Sequence, residues 1–194
     1  MSNAPFIPAA YLAFLASDRL SSPTREVVEG RIAGPAAADA GLLPSQIETL
    51  RAMIARVIPQ EGEPIDLTGY LLAQLADGKG DGWRFDILPE DAQAYREGLD
   101  RLAEMHFSQR NPAEQDAALT ALAAEKGSAA ACWFEEVRGA AVQAYVAHPA
   151  TLARLGYSGF GVGGAESPHQ GFVTFGPNER EPWEPLPTSP LCEG

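Results

Sequence analysis

Positive charge is scarce in this chain: 14 lysines and arginines stand against 26 aspartates and glutamates, for a net charge of −12. No run of Lys or Arg occurs anywhere. Nucleic acid and anionic membrane surfaces both need clustered positive charge, so neither is expected as a partner. Long apolar runs are missing too. No stretch approaches the roughly 20 apolar residues that cross a bilayer, so no direct membrane span is expected. The apolar piece from Pro5 to Ala16 is too short, contains Pro8 and has no basic residue before it, which makes it a poor secretory signal. Only two cysteines and three histidines occur. Cys132 and Cys192 lie 60 residues apart without metal spacing, and His106, His148 and His169 sit in unrelated contexts, with no His-x-x-x-His pair. No metal is therefore expected on this chain. The absence of Cys-x-x-Cys-His excludes covalently attached c-type haem.

What is present is helical periodicity. Ser45-Gln46-Ile47-Glu48 has the form of a capping box, and the stripe Ile47, Leu50, Ile54, Val57, Ile58 runs to Pro59, which predicts a first helix. A second is predicted over Ile65 to Ala76, stopped by Asp77-Gly78. Trp83, Phe85, Ile87 and Leu88 lead into a third through Pro89, with Tyr95, Leu99, Leu102 and Ala103 as its buried side up to Phe107. Asn111-Pro112-Ala113-Glu114 starts a fourth, ended by Gly127. Ser128 opens a fifth, in which Trp133, Phe134, Val137, Ala141 and Tyr145 recur at helical spacing until Pro149 stops it. The segment from Trp133 to Tyr145 is the densest core signal in the chain.

The expected fold is mostly α: a compact bundle of about five helices with extended N- and C-terminal arms. Residues 1–44 form the N-terminal arm, 45–155 the helical domain and 156–194 the glycine- and proline-rich C-terminal arm. In the first arm, Tyr11 to Leu15 reads as a short helix or docking strand, and one helical turn is expected near Arg25 to Arg31. In the last, Gly156, Gly159, Gly161 and Gly163 alternate with Tyr157, Phe160 and Val162. Gly171 to Phe175 could pair as a short strand. Five prolines between Pro177 and Pro190 surround Trp183 and favour an extended path over a surface.

Catalytic signals are thin. Ser158 sits between glycines but matches Gly-x-Ser-x-Gly only halfway. Gly159 to Gly164 is rich enough in glycine to cradle a phosphate, yet it follows a helix instead of a strand and opens no helix. Carboxylate pairs such as Glu135-Glu136, Glu90-Asp91 and Glu179 with Glu181 arise from composition, and sequence neighbours do not face one another on a helix. His148 reads as a cation favoured at a helix C-terminus, and Cys132 as a small core hydrophobe. Cys192 is the candidate for a disulfide to another residue or chain. Tyr11, Phe14, Tyr157, Phe160, Phe172, Phe175 and Trp183 carry more apolar area than a five-helix core can cover, so they are the expected partner interface.

Four ordered segments carry a family resemblance. They are Leu50-Arg51-Ala52-Met53-Ile54-Ala55-Arg56-Val57-Ile58-Pro59, then Tyr95-Arg96-Glu97-Gly98-Leu99-Asp100-Arg101-Leu102, and Asn111-Pro112-Ala113-Glu114-Gln115-Asp116-Ala117-Ala118-Leu119. The fourth is Trp133-Phe134 through Tyr145, with His148-Pro149 and Gly156-Tyr157-Ser158-Gly159. Over residues 45 to 176 the chain resembles the gluconate 2-dehydrogenase subunit 3 family. Tyr157-Ser158-Gly159 replaces that family's Gly-Gly-Asn loop.

The resemblance implies a helical small subunit without catalytic or cofactor-binding residues of its own. Its partner would be a large flavoprotein of the glucose-methanol-choline oxidoreductase type, which holds FAD and oxidises a sugar or alcohol, with a cytochrome c subunit often completing the complex. A periplasmic location follows from the resemblance. The twin-arginine leader common in that family does not occur here, and a chain made without any leader would be cytoplasmic. Two other readings of the residues stay open: a free-standing helical binding module, and an independent enzyme using Ser158, His169 or a carboxylate pair at the glycine loop.

Overall fold

Most of the core helices start where a side chain or a proline deals with the orphan N–H groups of a first turn. The computed structural model describes residues 5–156 apart from 19, 21, 63 and 79–82. The regular elements among them are helices: α1 (Ala9–Leu15), α2 (Ser22–Ala33), α3 (Pro44–Val57), α4 (Leu67–Asp77), α5 (Asp91–Glu104), α6 (Pro112–Ala124), α7 (Ala129–Ala147) and α8 (Pro149–Arg154), with a single 3-10 turn at Phe107–Gln109. The mostly α expectation holds, and the candidate strand at 171–175 lies outside the described residues.

The caps explain the boundaries. Asp66 accepts the Gly69 N–H to open α4, and Gly78 closes it in the left-handed conformation. Asn111 and Glu114 form a reciprocal capping box around Pro112 at the start of α6. Ser128 accepts the Ala131 N–H to open α7. Of these starts, Asn111 and Ser128 are marked in the sequence, whereas the Asp66 cap is not part of the predicted second helix start.

Elsewhere the boundaries differ from expectation. The first core helix begins at Pro44, not Ser45: proline's fixed φ suits a first position, and the Gln46 side chain, not that of Glu48, accepts the Leu43 N–H. The helix α5 begins at Asp91, so Pro89 lies before it and Trp83 to Leu88 form a turn, closed by the Leu88 N–H on the Phe85 carbonyl. It ends at Glu104, and His106 adopts a left-handed backbone that lets Phe107 fold back into the core. The N-terminal arm holds 12 residues of helix in α2 where one turn is expected. Residues 149–154, beyond the predicted stop at Pro149, form α8, because Pro149 blocks continuation of α7 while being well suited to start a new helix.

One helix organises the packing. α7 meets α3, α4, α5, α6 and α8, and its Trp133, Phe134, Val137 and Ala141 are buried with Leu50 and Met53 of α3, Leu71 of α4, Leu99 and Leu102 of α5, and Phe107. Gly98 shows how tight this is. A Cβ built there would land inside the Trp133 indole, so the glycine of the Tyr95-to-Leu102 segment is demanded by the tryptophan opposite. A second, smaller cluster joins Leu15, Leu20 and Val28 across α1 and α2, and α2 packs on α8.

Candidate functional site

On one face apolar walls and carboxylates converge without being covered by the described residues. A cavity of about 480 Å3 opens between α4 and α7. Leu71, Gln74 and Leu75 of α4 form one wall, and Glu135, Glu136, Gly139, Ala140 and Gln143 of α7 the other. The turn before α5 contributes Trp83 and Phe85, and α5 itself Asp91 and Tyr95. The volume is in the range of sites that hold a small ligand or a few side chains.

Each wall is held for a local reason. The Phe85 N–H donates to Glu136 Oε1 at 3.1 Å, which ties the turn to α7. Trp83 then stacks edge-on against Phe85, centroids 4.7 Å apart, while staying 63% exposed. An exposed indole on a soluble surface marks a place where another surface can add burial. Below it, Tyr95 meets Trp133 edge-on at 6.4 Å. The Tyr95 hydroxyl donates no hydrogen bond to the described residues, and the buried Trp133 Nε1–H has no partner among them either. Burial raises the Tyr95 pKa far above its ordinary value, and the Asp91 and Glu136 charges push in the same direction. It is therefore a neutral hydroxyl facing a carboxylate-lined cavity. On α7, Val142 and Val146 continue the exposed apolar face, and the outer side of Gly139 is open space.

The histidine expected to act as a C-terminal cation does something else. His148 is buried, and its Nδ1 accepts the Ala150 N–H at 3.1 Å, so the ring caps α8. Burial lowers its pKa. A hydrogen bond to the Arg31 backbone opposes that shift, and the charges of Arg154 and Arg31 reinforce it. The ring is neutral because its unprotonated nitrogen is committed to a helix start. Tyr70 packs edge-on against it and donates to the Arg31 carbonyl at 2.5 Å.

Of the expected interface residues, Tyr11 and Phe14 are half-buried against the Leu15, Leu20 and Val28 cluster. Tyr157, Phe160, Phe172, Phe175, Trp183 and Cys192 lie outside the described residues, as do Ser158 and His169. Cys132 is a half-buried free thiol packed on the core. The groove itself escapes a linear reading: Trp83 and Phe85 look like the lead into a helix, and Glu136 like part of a solvated pair. The available signal was two aromatics at i and i+2 after a glycine-rich turn, outside any helix and so outside helical burial. Among the described residues no three His, Cys, Asp or Glu could hold a metal ion, and no helix is long and apolar enough to cross a membrane.

The family model for gluconate 2-dehydrogenase subunit 3 matches residues 44–164. The chain belongs to that family. The matched span starts at the first residue of α3 and holds every residue lining the groove, whereas α1 and α2 precede it. It is thus a member of a family of dehydrogenase-complex subunits. Neither curated proteins nor solved structures gave a match to the chain.

Proposed function

We propose that this subunit is the non-catalytic, chaperone-like partner of a large FAD-dependent flavoprotein that oxidises CH–OH groups of a sugar or alcohol, and that its task is to stabilise that flavoprotein. The family match over residues 44–164 carries this reading. The exposed Trp83, Val142 and Val146 around an open groove support it, since apolar surface of this kind is removed from water when a permanent complex forms. In this reading FAD belongs to the partner of glucose-methanol-choline oxidoreductase type, and a cytochrome c subunit takes the electrons. The acidic balance of the chain sets orientation and association rate against a complementary patch.

The test is to express the presumed flavoprotein partner with and without this chain. The expected outcome is soluble, FAD-loaded, active flavoprotein only on co-expression, with the two chains co-purifying. Full FAD loading and activity in its absence would sink the proposal.

A further inference from the structure

The last described residues leave the bundle beside its open face. Arg154 sits over the Tyr145 ring, 5.8 Å from its centroid, so the end of α8 lies within a side chain's reach of α7. Tyr145 is the i+3 neighbour of Val142, and Gly139, Val142 and Val146 follow one another at the i, i+3, i+7 spacing of a single helix face. Val142, Val146 and Leu155 are exposed, and a Cβ at Gly139 would meet nothing. An uncovered apolar stripe thus runs from the exit of the chain to the α4–α7 groove, which Gly139 and Trp83 line.

The groove asks for no countercharge. Glu135 pairs with Arg138, Arg84 approaches Asp91 at 3.9 Å, and Glu136 accepts the Phe85 N–H. A neutral apolar occupant therefore suits it better than an ion. The next stretch of the chain has that chemistry: Tyr157-Ser158-Gly159-Phe160-Gly161-Val162-Gly163-Gly164 carries three large apolar side chains, four glycines and no charge. These residues lie outside the described ones but inside the family-matched span, which ends at 164 and so takes in both the segment and the groove.

We propose that residues 157–164 turn back along the Val146–Val142–Gly139 stripe and close the α4–α7 groove of their own chain. The reach is sufficient. Tyr145 and Gly139 are about 9 Å apart along the helix axis, and eight extended residues span up to about 26 Å. Glycines at 159 and 161 let a backbone approach α7 at Gly139, where the helix presents no Cβ. Tethering favours this occupant over a free one, because a segment linked this closely is present at an effective concentration on the order of millimolar. A partner that uses the face has to displace the segment first, so the proposal goes beyond the accessory-subunit reading without resting on it.

The test uses the full chain alone, at two concentrations, followed by NMR. Cross-relaxation is expected from the Tyr157, Phe160 and Val162 side chains to the Val142 and Val146 methyls, unchanged on ten-fold dilution. Phe160→Ser should shift the Gly139, Val142 and Trp83 signals while leaving those of Ala121, on α6, in place. As a second readout, Val142→Cys with Phe160→Cys, in a chain carrying Cys132→Ser and Cys192→Ser, should oxidise to an intrachain disulfide at least about ten-fold faster than Ala121→Cys with Phe160→Cys. Equal rates for the two pairs overturn the proposal. Contacts that vanish on dilution also overturn it, by assigning the groove to a second copy. Protection of Val142 and Val146 that appears only when the flavoprotein is added overturns it too, and leaves the accessory role intact. Failure of the co-expression test, by contrast, removes the accessory role and leaves these intrachain contacts as they are measured.

Discussion

Tyr70 on α4 and Tyr95 on α5 each meet a second ring edge-on, His148 in one case and Trp133 in the other. Burial raises both phenol pKa values. Yet the Tyr70 hydroxyl is satisfied inside the chain, by the Arg31 carbonyl in the last turn of α2, and the Tyr95 hydroxyl faces an open groove. The difference lies in the cover. At the Tyr70 side the end of α2, which precedes the family-matched span, brings an orphan helix carbonyl to the tyrosine and the histidine. At the Tyr95 side the described residues supply no such lid. One face is finished by the chain's own α2, and on the other no described residue covers the groove.

The largest effect is expected beneath the open face. Trp133→Ala removes the ring that α5 and α7 share, and costs on the order of 3–5 kcal/mol, a large part of a typical domain's stability. Gly98→Ala tests the same contact from the other side. Its gain in helix propensity is about 1 kcal/mol, but the new methyl has to displace an indole fixed by its own helix, and overpacking of that kind costs about 1–3 kcal/mol. The net effect is destabilising. Urea unfolding followed by circular dichroism checks both, and a stabilised Gly98→Ala would show that the indole has room to move.

The closed face is expected to respond to acid. The His148 pKa in the folded chain lies below its unfolded value of about 6.5. An unfolded chain therefore takes up this proton first as pH falls. The stability linked to His148 is fully present above about pH 6.5 and is lost as pH drops toward the lower folded value. Protonating Nδ1 also ends its acceptance of the Ala150 N–H and places a cation beside Arg31 and Arg154. His148→Asn keeps a side-chain oxygen able to cap α8 and does not titrate, so its urea midpoint should be flatter between pH 7.5 and 5. An unchanged slope in that variant would assign the acid response to the carboxylates.

The sequence was informative where chemistry is local. The Asn111–Glu114 box, Ser128, Gly78 and Pro149 each act on their own turn, and the helices they bound fall where the spacing predicts. The apolar rhythm of Trp133 to Tyr145 likewise located the helix that meets most of the others. The remainder depends on which surfaces meet. α2 has weak amphipathic character, and its docking is written in a backbone carbonyl, Arg31, that no residue pattern displays. His148 looked like an exposed terminal cation because the sequence cannot show that α8 folds back and buries it. The groove draws Leu71, Phe85, Tyr95 and Glu136 from three separated segments, so no spacing rule could have gathered them.

The smallest effects give the sharpest comparison, because they change one oxygen on each face. Tyr70→Phe deletes the donor to the Arg31 carbonyl while keeping the ring against His148. A hydrogen bond of this kind contributes about 1 kcal/mol net, and part of the loss should appear locally as faster amide exchange in α2. Tyr95→Phe deletes a hydroxyl that makes no hydrogen bond to the described residues, so the isolated chain should change by no more than a few tenths of a kcal/mol, well below that value. If a partner sits on the α4–α7 groove, the ranking should reverse on assembly, because Tyr95 lines that groove and Tyr70 does not. Measuring both variants, free and assembled, separates a groove that waits for a partner from one that is merely imperfectly packed. An equal cost for the two in the free chain would mean that the Tyr95 hydroxyl already has a partner within it.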